Sequence, residues 1–216
     1  MNGSARRLSR HSLALCACVA LVAGCGDSAQ ETSPLDARQT KAVLPNAEAL
    51  PGWKVGLEPV AYPLKKAKEM GVARCYQGAE ECAKIQFAGV SEAHGSGKPS
   101  LGFVLMTYED SVAAEKAYEP VWKSWSERSI ERRELSLGDI GDESDAVTGL
   151  SASYEAGAKT LFAQVRVGSV IMLTLGEAGA DIELQNWVKK CAVVFAERAE
   201  QAQQGETPYA TLDDVA

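Results

Sequence analysis

Between Leu161 and Leu175 the chain leaves little choice of fold. Leu161, Ala163, Val165 and Val167 alternate with Phe162, Gln164 and Arg166, and a second apolar run from Val170 to Leu175 follows Gly168-Ser169. Alternation with a period of two is the signature of a strand with one face turned inward. A two-residue link cannot hold a crossover, so the strands must be antiparallel neighbours. Gly-Ser suits a type II′ turn, in which the first central residue has a positive φ.

The surrounding sequence extends this pair into a sheet with helices. Lys84–Val90 and Leu101–Tyr108 read as strands, as do Glu131–Leu137 and Ala146–Glu155. Pro63–Tyr76 reads as a short helix. Ala114, Ala117, Val121 and Trp125 mark the apolar face of a second helix, capped near Asp110 and Ser111 and interrupted by Pro120. Ile182–Gln204, with Leu184, Val188, Cys191 and Phe195 on one side, is a third. The expected fold class is α+β: an antiparallel sheet of about five to six strands with helices packed on one face.

The first residues are an address rather than part of that fold. Arg6, Arg7 and Arg10 precede a small and apolar run, Leu13–Ala23, and no acid occurs before Asp27. Eleven residues are too few to cross a bilayer, which takes about 20 in a helix. Val22-Ala23-Gly24-Cys25 follows, a pattern that resembles the bacterial lipobox, in which the cysteine sulfur takes a diacylglycerol. The expected organisation is a signal peptide over 1–24 and a lipidated Cys25 with a flexible tether over 25–42. A single globular domain then spans 43–204, and a loose tail 205–216. The tether spans on the order of 20–25 Å as a coil. Such a chain meets the membrane through its lipid and works on the extracytoplasmic face.

Charge supports that placement. Removing the signal takes three arginines and no acid, so 22 basic residues become 19 against 29 acidic ones, and a net charge of −7 becomes −10. A chain with a pI near 5.0 is not a nucleic-acid binder. Of six cysteines, Cys16 and Cys18 leave with the signal and Cys25 carries the lipid. Cys75 and Cys82, with six residues between them outside the cytosol, are expected to form a disulfide. Cys191 falls on an apolar helix face and reads as a buried, unreactive thiol.

Assembled chemistry is sparse. His94 is the one histidine beyond the signal, which leaves neither a metal set nor a Ser-His-Asp triad in view. Gly95-Ser96-Gly97-Lys98 is not a phosphate loop, because position 92 is Glu92 and Pro99 replaces the hydroxyl residue. The acids of Gly138–Asp145 lack the spacing of a calcium loop and read as a turn. No metal and no cofactor is expected. Trp53, after Leu50-Pro51-Gly52, is the candidate for a partly exposed aromatic in a ligand cleft.

Four segments carry a family resemblance: Leu44-Pro45 with Leu50-Pro51-Gly52-Trp53, Leu137–Ser144, Val165–Val170 and the closing amphipathic helix. Together they resemble a broad actinobacterial family of extracytoplasmic lipoproteins and, more remotely, the extracellular sensor domain of mycobacterial receptor Ser/Thr kinases. That resemblance implies an antiparallel sheet with helices and a cleft for a ligand. The expected function is non-enzymatic binding of a small molecule, glycan or protein partner. A structural or interaction lipoprotein of the envelope without a pocket is the alternative, and a cell-wall hydrolase a more distant one.

Overall fold

The Gly168-Ser169 link closes a hairpin. In the computed structural model, β6 (Lys159–Val167) and β7 (Val170–Ala178) pair antiparallel from Val167↔Val170 outward to Lys159↔Ala178. Gly168 has φ 51° and Ser169 has no positive φ, which fits the II′ geometry. The structure describes residues 34–74, 80–151, 157–179 and 182–215. All of them lie within one unit, Thr32–Ala216, which contains both of the cores below.

Around the hairpin lies an antiparallel sheet of seven strands in the order β1-β2-β3-β7-β6-β5-β4. The remaining strands are β1 (Lys54–Pro63), β2 (Ile85–His94), β3 (Ser100–Tyr108), β4 (Ile130–Leu135) and β5 (Glu143–Leu150). The sheet has one strand more than the five to six expected, and the addition is β1. Pro59, Pro63 and Gly56 hide it from a periodicity reading. It pairs only with β2 and breaks register twice, between Val55 and Leu57 and between Leu57 and Val60. An edge strand with bulges is where proline is tolerated.

Among the described residues, four helices flank the sheet: α1 (Ala37–Val43), α2 (Leu64–Glu69), α3 (Ser111–Ser126) and α4 (Leu184–Gln203). They lie on both of its faces rather than on one. Phe103, Leu161, Ala163 and Val165 pack with α4 and α1, while Val104, Phe162, Ile171 and Leu173 pack with α3 and α2. Gln164 explains the difference. Its place in the alternation reads as solvent-facing, yet it is fully buried, and its Nε2 donates to Tyr118 O in α3 at 2.8 Å. A polar side chain that satisfies a helix backbone can sit beneath that helix.

Both ends of the domain are more ordered than expected. Residues 35–42, assigned to the tether, include most of α1. Asp36 caps that helix in a reciprocal capping box with Gln39 (Gln39 N to Asp36 Oδ1 2.7 Å, Asp36 N to Gln39 Oε1 3.0 Å), and Leu35 and Thr40 are buried. The tail assigned as loose is docked: Ala210 is buried, and Leu212 N donates to Ala49 O at 2.8 Å. One buried arginine joins the two ends. Arg198 of α4 donates to Ala42 O (2.7 Å), Val43 O (3.1 Å) and Ala210 O (3.1 Å). Two of these are carbonyls at the C-terminal end of α1, the negative end of the helix dipole. Gln203, the last residue of α4, fastens the same C-terminal half of the helix to the hairpin, accepting from Ser169 N and Oγ and donating to Val167 O.

Candidate functional site

The α3 face of the sheet is only partly roofed. Partners in an antiparallel ladder point to the same side, so the pairs Glu92↔Gly102, Gly102↔Leu175 and Leu175↔Phe162 form one row across β2, β3, β7 and β6. The next row holds Val90 and Val104. Over these rows α2 ends on one side and α3 on the other, and between them lies a cleft of about 530 Å³. Its floor is apolar, made by Val90, Val104, Leu175 and Phe162. Gly102 leaves that floor low: a Cβ there would meet nothing nearer than Leu175 Cδ1 at 3.4 Å. The strand therefore has room for a side chain that the sequence does not supply.

The wall is aromatic and cationic. Trp125, in the last turn of α3, is buried. The guanidinium carbon of Arg128 lies 5.0 Å from the centre of its ring, and that of Arg74 lies 5.8 Å away. Arg74 is further oriented by donating from Nε to Gly71 O at 3.0 Å. Partial burial, and then the charge of Arg74, pull Arg128 below the ordinary arginine value. Among the described ion pairs, neither arginine has a carboxylate. Glu92 and Glu177 also line the cleft, but on β2 and β7, with β3 between them.

Trp53 is placed elsewhere. It is 7% exposed and stacks edge-on against Trp187 of α4 with centroids 5.3 Å apart, on the opposite face of the sheet. Lys98 covers both rings, with Nζ 5.0 Å from Trp53 and 5.5 Å from Trp187, and donates to Gly52 O. The glycine-rich loop thus closes over an aromatic pair. The cleft aromatic is Trp125, which by helical spacing reads as a core residue. Its two arginines lie in loops 54 positions apart in sequence, and no local pattern announces their meeting.

The other candidate residues are placed as follows. Cys82 is buried in a 3-10 turn, Glu80–Lys84, just before β2. Cys75 lies outside the described residues, as do Cys25 and the whole signal segment. Cys191 is a buried free thiol, with burial pushing its pKa up to about 12. In the acidic turn, Asp142 and Glu143 hold Arg166 at 3.0 and 2.6 Å, and Asp142 accepts from Gly168 N at 2.7 Å. Those carboxylates brace the hairpin. A second cavity, about 590 Å³, lies on the α4 face beside the start of α4, between Leu135, Thr148 and Lys189. It adjoins residues 180 and 181, outside the described set. The α3-face cleft, although the smaller, is the one that carries the aromatic and cationic wall.

Comparison with known proteins bears on the fold. No known family profile matches the chain, and no curated protein matches it in sequence. Among solved structures, the chain is similar to the extracellular domain of PknH from Mycobacterium tuberculosis. The two share 11% identity with a TM-score of 0.51, over 81% of this chain and 100% of that one. At that identity the likeness is one of fold. No helix among the described residues is long and apolar enough to cross a membrane.

Proposed function

We propose that this chain is a lipid-anchored, extracytoplasmic binding domain of the sensor type, whose ligand occupies the cleft between the ends of α2 and α3. The cleft carries the reading: an apolar floor left low at Gly102, beneath a wall of Trp125, Arg74 and Arg128. A concave, mostly apolar site with a few converging polar groups is the usual form of a ligand site. Ser100 and Thr160 lie opposite Glu177 at the rim of the lining, and His94 is exposed at the end of β2, beside Gly56. Binding is the function that this arrangement supports.

Placement outside the cytosol rests on the basic n-region, the eleven-residue apolar run and Cys25 in its lipobox setting. The fold shared with an extracellular domain supports it. In that compartment Cys75 and Cys82 pair and close the segment between α2 and β2. Labelled palmitate should enter the wild type and be lost in Cys25→Ser. A non-reduced peptide map should show the Cys75–Cys82 link.

Native mass spectrometry of the protein taken from its producing cells tests the binding role. A persistent extra mass is expected in the wild type, and its loss in Gly102→Leu, which fills the floor. The same ligand-free mass in both proteins would overturn the cleft reading and leave a structural envelope lipoprotein in its place.

A further inference from the structure

Resting on that reading of the cleft, we infer that its ligand is an amphiphilic anion: a carboxylate or phosphate head held by Arg74 and Arg128, with an acyl or aryl body laid on the sheet floor. Two cations converge on one indole, at 5.0 and 5.8 Å from its ring, and no described carboxylate pairs with either. Like charges brought this close repel one another. The protein carries 29 acids and yet supplies neither arginine with an ion-pair partner among the described residues. An anion seated against both guanidinium groups would take up that role, since their planar forks match carboxylate and phosphate oxygens.

The acids of the cleft do not offer the mirror-image site. Glu92 and Glu177 are on strands separated by β3, hence roughly 10 Å apart across the sheet. One cationic group cannot engage both closely. Val90, Val104, Leu175 and Phe162 offer no hydrogen-bonding side chain, so the body that covers them must be apolar.

Calorimetric titration of the full chain with four probes tests the inference. Octyl phosphate, below its micelle concentration, and decanoate represent the two sources of the anionic head. Inorganic phosphate lacks the body, and decyltrimethylammonium reverses the charge. Saturable binding of at least one of the first two is expected, with at least tenfold weaker binding of both controls. The Arg74→Gln/Arg128→Gln variant should lose at least tenfold in affinity while keeping the wild-type melting temperature, and the double lysine variant should recover part of the loss. Gly102→Leu should abolish binding.

Equal affinity for the cationic probe overturns the anionic assignment, as does an affinity unmoved by the arginine changes in a folded variant. Equal affinity for inorganic phosphate overturns the amphiphilic half. If Gly102→Leu blocks a probe in any of these cases, the cleft still stands as a ligand site. If no probe binds, or Gly102→Leu leaves binding intact, the cleft reading falls with the inference.

Discussion

On the α4 face, 20 residues of helix run across β6 and β7, and two long buried side chains of that helix find several partners each: Arg198 on three carbonyls, Gln203 on four groups of the hairpin and its own helix. On the α3 face, the 16-residue helix carries Pro120, and α2 has only six residues. Unpartnered buried groups occur on both faces: Trp53 Nε1 on the α4 side, Trp125 Nε1 and Tyr108 Oη on the α3 side. The same sheet thus supports a fully roofed side that secures both ends of the domain and an under-roofed side that leaves its floor bare. Two glycines on neighbouring strands mark the contrast. A Cβ at Gly176 would come within 2.5 Å of Val188 Cγ2 and 2.7 Å of Leu184 Cδ1, whereas one at Gly102 would clear everything to 3.4 Å. The first glycine lets a helix sit down, and the second keeps a space open.

The contrast can be broken most severely at Arg198. Arg198→Met keeps much of the bulk but strips three buried carbonyls of their donor. It should cost about 3 kcal/mol or more in urea unfolding, since hydrogen bonds to charged groups contribute roughly 1.5–3 kcal/mol each and do not add fully. A loss below about 1 kcal/mol would mean the ends are held by something else. Next, Gly176→Ala should destabilise by about 1–3 kcal/mol through overpacking against α4. An unchanged urea midpoint would show that α4 can lift without cost.

The third effect is one of pH. Burial raises the Cys191 thiol to about 12 in the folded protein, above its ordinary value. The folded state therefore holds this proton where the unfolded state releases it. The associated stability is present below the ordinary thiol pKa and falls as pH rises toward 12, by roughly 1–2 kcal/mol by pH 10. Cys191→Ala should flatten that part of a stability–pH curve, and a thiol reagent should modify native protein only on unfolding. The smallest effect belongs to the open face: Gly102→Ala should shift stability by no more than about 1 kcal/mol, in either direction. A large loss there would contradict the idea that the floor is kept low for a ligand.

Much of the covered architecture was legible in the sequence, because it rests on periodicity. The hairpin at Gly168-Ser169, the apolar stripe of α3 and that of α4 repeat with the periods of their elements. What escaped was set by single residues rather than repeats. β1 is disguised by Pro59, which only an edge strand accepts. α1 is too short and polar for a stripe, although Asp36 and Gln39 write its capping box. Gln164 reads as an outward residue until its partner in α3 is known. The cleft is the extreme case. Arg74 and Arg128 acquire a shared role only when two loops bring them to the same indole, and no pattern in the sequence encodes that meeting. Trp53, at a sequence position that reads as an entrance, is instead closed under Lys98.

Arg198 also has a mechanical meaning. Its guanidinium group grips the last turn of α1 and the backbone of Ala210 together, so the leading and trailing ends of the domain share one fastening. Tension applied through the segment that precedes α1 would reach that fork before it reached the sheet. Stretched from that side in a force spectrometer, the domain should first yield by releasing α1 and the tail in a single event, with the seven strands still paired. Peeling at the leading end would then leave the α3 side of the sheet in register.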